Sequence, residues 1–271
     1  MSLILSRRRH DFRTGPSVAL QTRSAQTNSY GRISGVMSSI SAMFPAYNDA
    51  ASLPALLARV FHVLPLLTAD YEVIVVNDGS RDDTGIVLAA LAHRYAPHLK
   101  IITHQTNRGY GAALRTGFAA CTKDAVFYTD GDGQYDVCEL EQLWNRSQPD
   151  IDVVNGYKLR RADGLRRAAA GTIYNWVVRR VFRLRIRDVD CDFRLIRRET
   201  LYRIQLHSDT GSICVELVKR LQNLGCRFAE VGVHHYPRPH GHSQFFRLKP
   251  ILNTIRDLIK LYRPLCSDSR A

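Results

Sequence analysis

The sequence has no apolar run that approaches the roughly 20 residues needed to cross a bilayer. It also lacks a Cys-x-x-Cys pair and any stretch that resembles an export signal. These absences argue against a disulfide scaffold and favour free thiols in a reducing compartment. We therefore predict a cytoplasmic protein, either free or peripheral on the inner face of the membrane. Its six cysteines are Cys121, Cys138, Cys191, Cys214, Cys226 and Cys266.

Acidic residues are scarce relative to basic ones: 25 Asp and Glu stand against 38 Lys and Arg, a formal net charge of +13 at pH 7. An excess of this size suits nucleic acid, an anionic membrane face or phosphorylated substrates. The arginines are dispersed and no nucleic-acid-binding motif accompanies them, so we expect no nucleic-acid partner. The chain has 271 residues, 45% of them hydrophobic, which is enough for one large α/β domain or two small ones.

The first 36 residues differ in composition from the rest. They are rich in Ser, Thr and Arg, include the run Arg7-Arg8-Arg9 and contain a single acidic residue, Asp11. Organellar transit peptides share this composition, but we favour a disordered basic tail. The predicted division is therefore a tail at 1–36, a globular domain at 37–244, and a basic amphipathic helix with its own tail at 245–271.

From Ile40 onward, apolar strands alternate with amphipathic helices. This alternation predicts right-handed βαβ units and a mainly parallel sheet flanked by helices, an α/β fold. Ligands of such sheets bind beyond the carboxyl ends of the strands, where the polar clusters of this chain stand. We predict strands at 38–44, 71–76, 99–103, 125–129 and 152–155, and helices capped by Ser52 and at 83–95, 109–121 and 137–146.

Asp130 and Asp132 follow directly after the predicted strand at 125–129. Side chains alternate along an extended backbone, so both carboxylates point the same way and can share a hard cation. Gln134 continues the spacing and offers a third oxygen. Asp-Gly pairs also build turns, which is the structural alternative. The position after a strand favours a metal site.

Asp78 follows the predicted strand at 71–76 and precedes a Gly-Ser turn. A carboxylate at this place can accept hydrogen bonds from a base or a ribose. It can equally form an Asx turn or cap the next helix. Asp82 and Asp83 are better placed for capping, so we expect Asp78 to remain available for a ligand.

Gly109 and Gly111 open the predicted helix at 109–121. Backbone N–H groups at such a helix start can face an anion, although the same residues also suit a plain tight loop. The spacing is not that of a dinucleotide-binding loop, which disfavours a dinucleotide fold.

Several histidines gather with Arg238 near the end of the predicted domain. No nearby cysteine or paired carboxylate completes a zinc site, so we favour a flexible loop whose Arg238, His242 and Ser243 close over phosphates. The segment from Phe245 to Tyr262 has helical apolar spacing interspersed with Arg and Lys. It predicts a basic amphipathic helix that either lies on anionic lipid or packs against its own domain. The histidines are His234, His235, His240 and His242.

Six short motifs follow one another between about residues 40 and 245. They are Phe44-Pro-Ala-Tyr-Asn-Asp49, Asn77-Asp-Gly-Ser80 with Asp83-Thr84, Asn107-Arg-Gly-Tyr-Gly111, Thr129-Asp-Gly-Asp-Gly-Gln134, Asp190-Cys-Asp-Phe-Arg194 and Arg238-Pro-His-Gly-His-Ser-Gln244. In this order they resemble the family-two inverting glycosyltransferases, particularly the dolichol-phosphate mannose synthase branch. The chain departs from that pattern in having Asp49 where Glu is usual, Asn77 where a second Asp is common and Gln244 where Lys is usual.

The resemblance implies a GT-A fold with a single nucleotide-diphospho-sugar transferase domain, Mg²⁺ or Mn²⁺, and a nucleotide-sugar donor such as GDP-mannose or a UDP-hexose. The expected nucleotide-binding residues are Pro45, Tyr47, Asp49, Asn77, Asp78, Gly109 and Asp130. The expected metal ligands are Asp130, Asp132 and Gln134. The expected phosphate- or acceptor-binding residues are Lys158, Arg167, Arg238 and Ser243.

The expected reaction is an in-line displacement at the anomeric carbon with inversion, in which the metal at Asp132 offsets charge on the leaving nucleoside diphosphate. A polyprenyl-phosphate acceptor is already nucleophilic and needs no strong base. A hydroxyl acceptor needs a carboxylate to take its proton, and Asp192 and Glu216 are the candidates. Two rivals remain: a nucleotidyltransferase, which would release pyrophosphate, and a non-catalytic protein that binds sugar nucleotides or a membrane surface.

Overall fold

The computed structural model describes residues 26–27, 33–159, 165–240 and 248–267. The chain separates into two compact units, Met1–Gly35 and Val36–Ala271. In the first unit, strand β1 (Gln26–Thr27) pairs antiparallel with strand β2 (Ile33–Ser34). The tail predicted at 1–36 thus contains a short strand pair, and the rest of that prediction lies outside the described residues.

The second unit is built on a seven-stranded sheet. Its strands are β3 (Ser39–Ala46), β4 (Asp70–Asn77), β5 (Leu99–Thr103), β6 (Ala125–Thr129), β7 (Val153–Lys158), β8 (Phe193–Arg197) and β9 (Phe228–Val233). They lie in the order β5-β4-β3-β6-β8-β7-β9. All pairs are parallel except those of β8, which runs antiparallel to both β6 and β7. The mainly parallel sheet is therefore confirmed, with one reversed strand.

Helices follow most strands, as the alternation predicts. They are α1 (Leu53–Leu67), α2 (Thr84–Arg94), α3 (Tyr110–Ala120), α4 (Leu140–Arg146), α5 (Leu165–Phe182), α6 (Arg198–Tyr202), α7 (Ile213–Asn223) and α8 (Leu248–Ser267), with a 3₁₀ turn at Val137–Glu139 before α4. Ser52 precedes α1 as predicted, but its side chain makes no capping hydrogen bond. Within the described part of the chain, no helix is long and apolar enough to span a bilayer.

Both faces of the sheet are covered, as is usual for parallel strands. Alternate residues of β3 show the division: Phe44 packs in the cluster that includes α1 and α4, whereas Met43 packs in the cluster that includes α3 and α7. A third cluster joins α5, α7 and α8, with Phe182 and Leu265 buried in it. This third cluster places α5 and α8 beside α7.

The reversal of β8 determines which residues meet at the sheet edge. Thr129, the last residue of β6, is paired with Phe193, the first residue of β8. The residue that follows β6 and the residue that precedes β8 are therefore neighbours. These residues are Asp130 and Asp192, and the carboxyl ends of β3 and β4 lie along the same edge.

Candidate active site

Asp130 and Asp132 lie just past the end of β6, and both are partly buried. Burial raises the pKa of Asp130 well above its usual 3.8, and the charges of Asp192 and Asp132 raise it further. The Tyr110 hydroxyl opposes this shift by donating a 2.7 Å hydrogen bond to Oδ1 of Asp130. Burial also raises the pKa of Asp132. Burial thus disfavours the charged form of both carboxyl groups, and a bound cation would offset that cost.

Arg238 reaches into this edge from the segment after β9. Its Nη2 donates to Oδ1 of Asp49 at 2.7 Å, and its Nε lies 3.8 Å from Oδ2 of Asp132. Asp49 is 8% exposed and also accepts the Tyr47 N–H at 3.0 Å. Burial raises the pKa of Asp49, and Arg238 partly offsets this. The predicted proximity of Asp49, Asp132 and Arg238 is therefore present in the structure.

Gln134 holds the segment that carries Arg238. Its backbone carbonyl accepts the Tyr236 N–H at 2.8 Å, and its side-chain amide donates to the Tyr236 carbonyl at 3.1 Å. The neighbouring pair Tyr135 and His235 forms an isolated antiparallel bridge. Gln134 thus links two loops through hydrogen bonds, and its proposed role as a metal ligand stays a prediction.

The expectation that Asp78 would be free for a ligand is wrong. Its side chain is 4% exposed. The carboxylate accepts three internal hydrogen bonds: Oδ1 from the Arg108 N–H at 2.9 Å and His104 Nδ1 at 2.6 Å, and Oδ2 from the Gly109 N–H at 2.9 Å. Asp82 does accept the N–H of Thr84 at 3.1 Å, as expected. The backbone N–H groups of Arg108 and Gly109 nevertheless bind the Asp78 carboxylate at the end of the strand.

The same contacts correct the interpretation of the glycine loop. The anion that the Gly109 N–H faces is the protein's own Asp78 carboxylate, and the Gly111 N–H donates to the Asp209 carbonyl at 2.9 Å. A Cβ at Gly111 would lie 2.1 Å from the Ser208 carbonyl oxygen. The glycines therefore permit close packing against residues 208–209, and the two N–H groups are not open to a phosphate.

Pro45 and Asn77, two further predicted nucleotide-binding residues, also shape this edge. The Pro45 carbonyl accepts the Gly131 N–H at 3.2 Å, which fixes the turn between Asp130 and Asp132. The Asn77 side chain accepts the Ser80 N–H at 3.1 Å. Both residues thus hold strand-end turns in place.

Asp192 lies on the other side of the edge and is held by a buried arginine. Its Oδ1 is 3.2 Å from Nη1 of Arg194 and accepts from the Cys214 thiol at 3.1 Å. Arg194 is fully buried, donates to Asn155 Oδ1 at 2.5 Å and also donates to the Tyr128 hydroxyl. No local sequence pattern singles out Tyr128, Asn155 or Cys214, because their proximity depends on the pairing of β8 with β6 and β7.

Lys158 ends β7 beside these carboxylates. Its Nζ donates to the Asp190 carbonyl at 2.7 Å. Burial tends to lower the pKa of Lys158, but the charges of Asp188 and other neighbouring acids outweigh it and raise that pKa. The side chain thus remains a cation, and its charge acts on Asp130. Its role in binding a phosphate stays a prediction.

Glu216 is not placed to act as a general base. It is fully buried in α7, and both carboxylate oxygens accept internal hydrogen bonds. The donors are the N–H groups of His207 and Ser208 and Nε of Arg220, at 2.9–3.1 Å. Burial raises its pKa, but these bonds prevail and lower it overall. Glu216 therefore anchors the segment that packs under the glycine loop.

The remaining predicted residues give a mixed result. His234 binds Glu139, with 2.6 Å between Nδ1 and Oε1. Among the described residues, no group of three or more His, Cys, Asp or Glu is arranged to hold a metal by itself, so the zinc alternative gains no support. The side chain of Arg167 and the whole of Ser243 lie outside the described residues.

An apolar groove of about 830 Å³ runs between α5 and α8. Several of its residues are well exposed, including Ile259 at 69% and Ile173 at 63%. Tyr174 also lines the groove, and burial is the main cause that raises its pKa. The next residue, Asn175, accepts the Val189 N–H at 3.1 Å, so this part of α5 lies against the segment that leads to Asp190 and Asp192.

Comparisons with known proteins agree with this geometry. Residues 41–204 match the family model described as Glycosyl transferase family 2. The protein named undecaprenyl-phosphate 4-deoxy-4-formamido-L-arabinose transferase from Yersinia enterocolitica serotype O:8 / biotype 1B is 30% identical over 220 residues, which is 81% of this chain and 66% of that protein. Its namesake from Yersinia pestis (strain Pestoides F) gives the same identity and coverage. The chain thus spans just under two thirds of the length of these relatives.

Among solved structures, glucosyl-3-phosphoglycerate synthase from Mycobacterium tuberculosis is similar in fold. The complex with Mn²⁺, uridine diphosphate and glucosyl-3-phosphoglycerate aligns with a TM-score of 0.64 and 20% identity, over 85% of this chain and 80% of that one. The complex with Mn²⁺, uridine-diphosphate-glucose and phosphoglyceric acid gives 0.63 and 19% over the same shares. At these identities the likeness shows the fold, which is the GT-A fold.

Proposed function

The chain belongs to glycosyl transferase family 2, and from this premise we propose that it transfers a hexose from a nucleotide sugar to a polyprenyl phosphate, with inversion at the anomeric carbon. The observation that carries the proposal is the edge at which Asp130 and Asp132 lie beside Asp49, with Arg238 between them. Carboxylates that can share a cation, next to an arginine that can bind phosphate, suit a nucleoside diphosphate leaving group.

The donor set fits a divalent metal. Asp130 and Asp132 offer hard oxygen ligands, and a cation would offset the burial that raises the pKa of both carboxyl groups. We assign Mg²⁺ or Mn²⁺ to these two carboxylates, with the Gln134 side-chain oxygen as a further ligand. When bound, such an ion stabilises negative charge on the departing diphosphate.

On the donor side, we assign the nucleotide to the edge formed by Pro45, Tyr47 and Asp49. Arg238 contacts Asp49 and lies near Asp132, so a modest movement of its guanidinium brings it to a diphosphate held between them. Asn77, Asp78 and Gly109 contribute by shaping the loops that border the nucleotide.

On the acceptor side, the α5–α8 groove suits an isoprenoid chain. It is apolar and open, and beside Tyr174 the residue Asn175 contacts Val189, in the segment that leads to Asp190 and Asp192. Lys158 stands at that end as the cation for the acceptor phosphate, and we add Arg167 from the start of α5. The Yersinia relatives carry undecaprenyl phosphate in their names, which supports this class of acceptor.

A phosphate acceptor also agrees with the state of Asp192. A general base must be free to take a proton from its acceptor. Oδ1 of Asp192 is instead occupied by hydrogen bonds from Arg194 and the Cys214 thiol. A phosphate oxygen is already anionic and attacks the anomeric carbon without proton removal.

Exposed apolar residues of α5 and α8 support peripheral contact with an anionic membrane. Trp176 is 66% exposed and Ile259 is 69% exposed. Lys260, whose side chain is 76% exposed, adjoins Ile259 on α8. Sedimentation with vesicles that contain anionic or only zwitterionic lipid tests this contact. Binding to neither kind of vesicle would exclude the membrane-surface part of the proposal.

The test of the whole proposal is a titration with GDP-mannose, UDP-glucose and UDP-GlcNAc, with and without Mn²⁺, followed by calorimetry and thermal unfolding. We expect one donor to bind in a Mn²⁺-dependent manner and then to label undecaprenyl phosphate, with release of a nucleoside diphosphate. Release of pyrophosphate would instead indicate a nucleotidyltransferase. Binding without turnover on any acceptor would indicate a sugar-nucleotide binding protein, and no binding would refute the donor assignment.

A further inference from the structure

Tyr110, the first residue of α3, touches the proposed metal site through its hydroxyl. The hydroxyl donates a 2.7 Å hydrogen bond to Oδ1 of Asp130, and the half-buried ring packs on the cluster around Leu114 and Phe118. The hydroxyl is therefore placed to donate to the carboxylate from a fixed ring.

The backbone on both sides of Tyr110 is pinned. Gly109 has a φ of +98°, a conformation that suits glycine, and its N–H donates to Asp78 at 2.9 Å. The Gly111 N–H donates to the Asp209 carbonyl at 2.9 Å. A Cβ at Gly111 would lie 2.1 Å from the carbonyl oxygen of Ser208, so the start of α3 packs against that segment at a distance that only glycine allows.

The segment under α3 is itself anchored. Buried Glu216 accepts the N–H groups of His207 and Ser208 at 2.9–3.1 Å. Arg115, one turn along α3 from Gly111, donates to the Ser208 carbonyl and to the Asp209 carboxylate. The backbone on either side of Tyr110 is thus held by contacts that do not involve β6, the strand before Asp130. The Tyr110 hydroxyl therefore holds Oδ1 of Asp130 in a defined position.

We propose that Tyr110 is a positioning residue, which orients the Asp130 carboxylate toward the divalent cation of the proposed reaction; this inference rests on the metal part of the proposed function. The hydrogen bond occupies one lone-pair direction of Oδ1 and prevents the carboxylate from rotating freely. Oδ2 is then the oxygen presented to the cation. Partners that hydrogen-bond a metal ligand in this way change metal affinity by about 10- to 100-fold when they are removed.

The test compares the full-length wild type with Tyr110→Phe and Tyr202→Phe. Tyr202 is the matched control because its hydroxyl also donates one hydrogen bond, 3.0 Å to the Cys121 carbonyl, away from the carboxylates. Mn²⁺ is titrated into each protein with saturating UDP or GDP, whichever stabilises the wild type more, and free Mn²⁺ is read from its electron paramagnetic resonance signal. Thermal unfolding and nucleotide binding without metal are measured in parallel.

We expect Tyr110→Phe to bind Mn²⁺ about 10- to 100-fold more weakly than the wild type and Tyr202→Phe, with similar nucleotide binding in the absence of metal. Equal Mn²⁺ affinity in the wild type and Tyr110→Phe would overturn this inference alone. An equal loss in Tyr202→Phe would overturn it as well, since a general loss of stability would then explain the effect. No Mn²⁺ binding by the wild type with either nucleotide would overturn both this inference and the proposed metal.

Discussion

The guanidinium of Arg238 donates to the carboxylate of Asp49 at 2.7 Å, across 189 positions of sequence. Asp49 is 8% exposed, so its charge is largely removed from water and relies on this partner. The contact joins the loop after β3 to the segment after β9. The proposed donor site is therefore closed by an ion pair between distant parts of the chain.

Replacing Arg238 by Gln should lower both stability and donor affinity. The Asp49 carboxylate would lose a charge-assisted hydrogen bond, so we expect the free energy of unfolding to fall by about 1–3 kcal/mol. Arg227→Gln is the control, because it removes an exposed ion pair of 2.9 Å with Asp150 and should cost less than about 1 kcal/mol. Urea denaturation and nucleotide-sugar titration measure the two effects. An equal loss of unfolding free energy in the two variants would show that the Asp49 contact stabilises the fold no more than an exposed ion pair does.

Asp132→Asn should separate activity from stability. Because burial raises the pKa of Asp132, its charge is unfavourable in the folded state at neutral pH, and the neutral amide should unfold at the same or a higher temperature. We expect metal-dependent sugar transfer to disappear in the same variant. Asp150→Asn, on a residue whose side chain is 61% exposed, controls for the substitution itself. Full transfer by Asp132→Asn would remove the metal assignment.

Glu216→Gln should destabilise the fold but leave sugar transfer per folded molecule close to wild type. A buried carboxylate that accepts several hydrogen bonds loses about 2–4 kcal/mol of unfolding free energy on such a change. The pKa of Glu216 is lower in the folded chain than its usual 4.5, so its contribution is complete above about pH 4.5 and is lost as the pH falls further.

The measurement for Glu216 is the unfolding free energy of wild type, Glu216→Gln and exposed Glu141→Gln between pH 7 and pH 3. The difference between wild type and Glu216→Gln should shrink below about pH 4.5. Transfer per folded molecule should stay close to wild type at a temperature where the variant is folded. A stable but inactive Glu216→Gln would restore the general-base hypothesis.

Ile259→Glu should reduce the use of long polyprenyl phosphates. Ile259 is 69% exposed in the α5–α8 groove, and a charge there opposes an isoprenoid chain. Ile86→Glu is a close control, since Ile86 is 72% exposed on α2 and is not among the groove residues. We expect a higher KM for undecaprenyl phosphate in Ile259→Glu alone, with donor binding unchanged in both. Identical KM values would place the lipid chain elsewhere.

The first half of the fold was predictable because its signals are local. The strands at 99–103 and 125–129 were predicted with the boundaries that the structure shows, and the other predicted strands of this half differ by a few residues. Each joins its neighbour through a helix of clear apolar spacing, which dictates a parallel pair. The reversed strand β8 was not predicted. Its direction depends on pairing with β6 and β7, which no local pattern encodes.

The site shows the same limit. Asp130 and Asp132 were identifiable because a strand ends immediately before them. Asp78 follows the same rule, yet its carboxylate is occupied by the backbone of a loop 30 residues further on. Glu216 was named as a candidate general base, and only the fold reveals that residues 207 and 208 donate to it. Polar groups gather at the ends of strands, and the loops that meet there determine which of these groups remain available to a ligand.

The antiparallel pair β6–β8 divides the sheet into two parts that are each continuous in sequence, 39–129 and 153–233. During synthesis the ribosome therefore releases the whole donor half first, with Asp49, Asp130 and Asp132 already present. Domains and subdomains commonly begin to fold in this order. Asp192 and Arg238 emerge later, so a chain stopped near residue 150 carries the proposed metal-binding carboxylates without the residues that face them. The site is complete only when the last strand has been translated and added to the sheet.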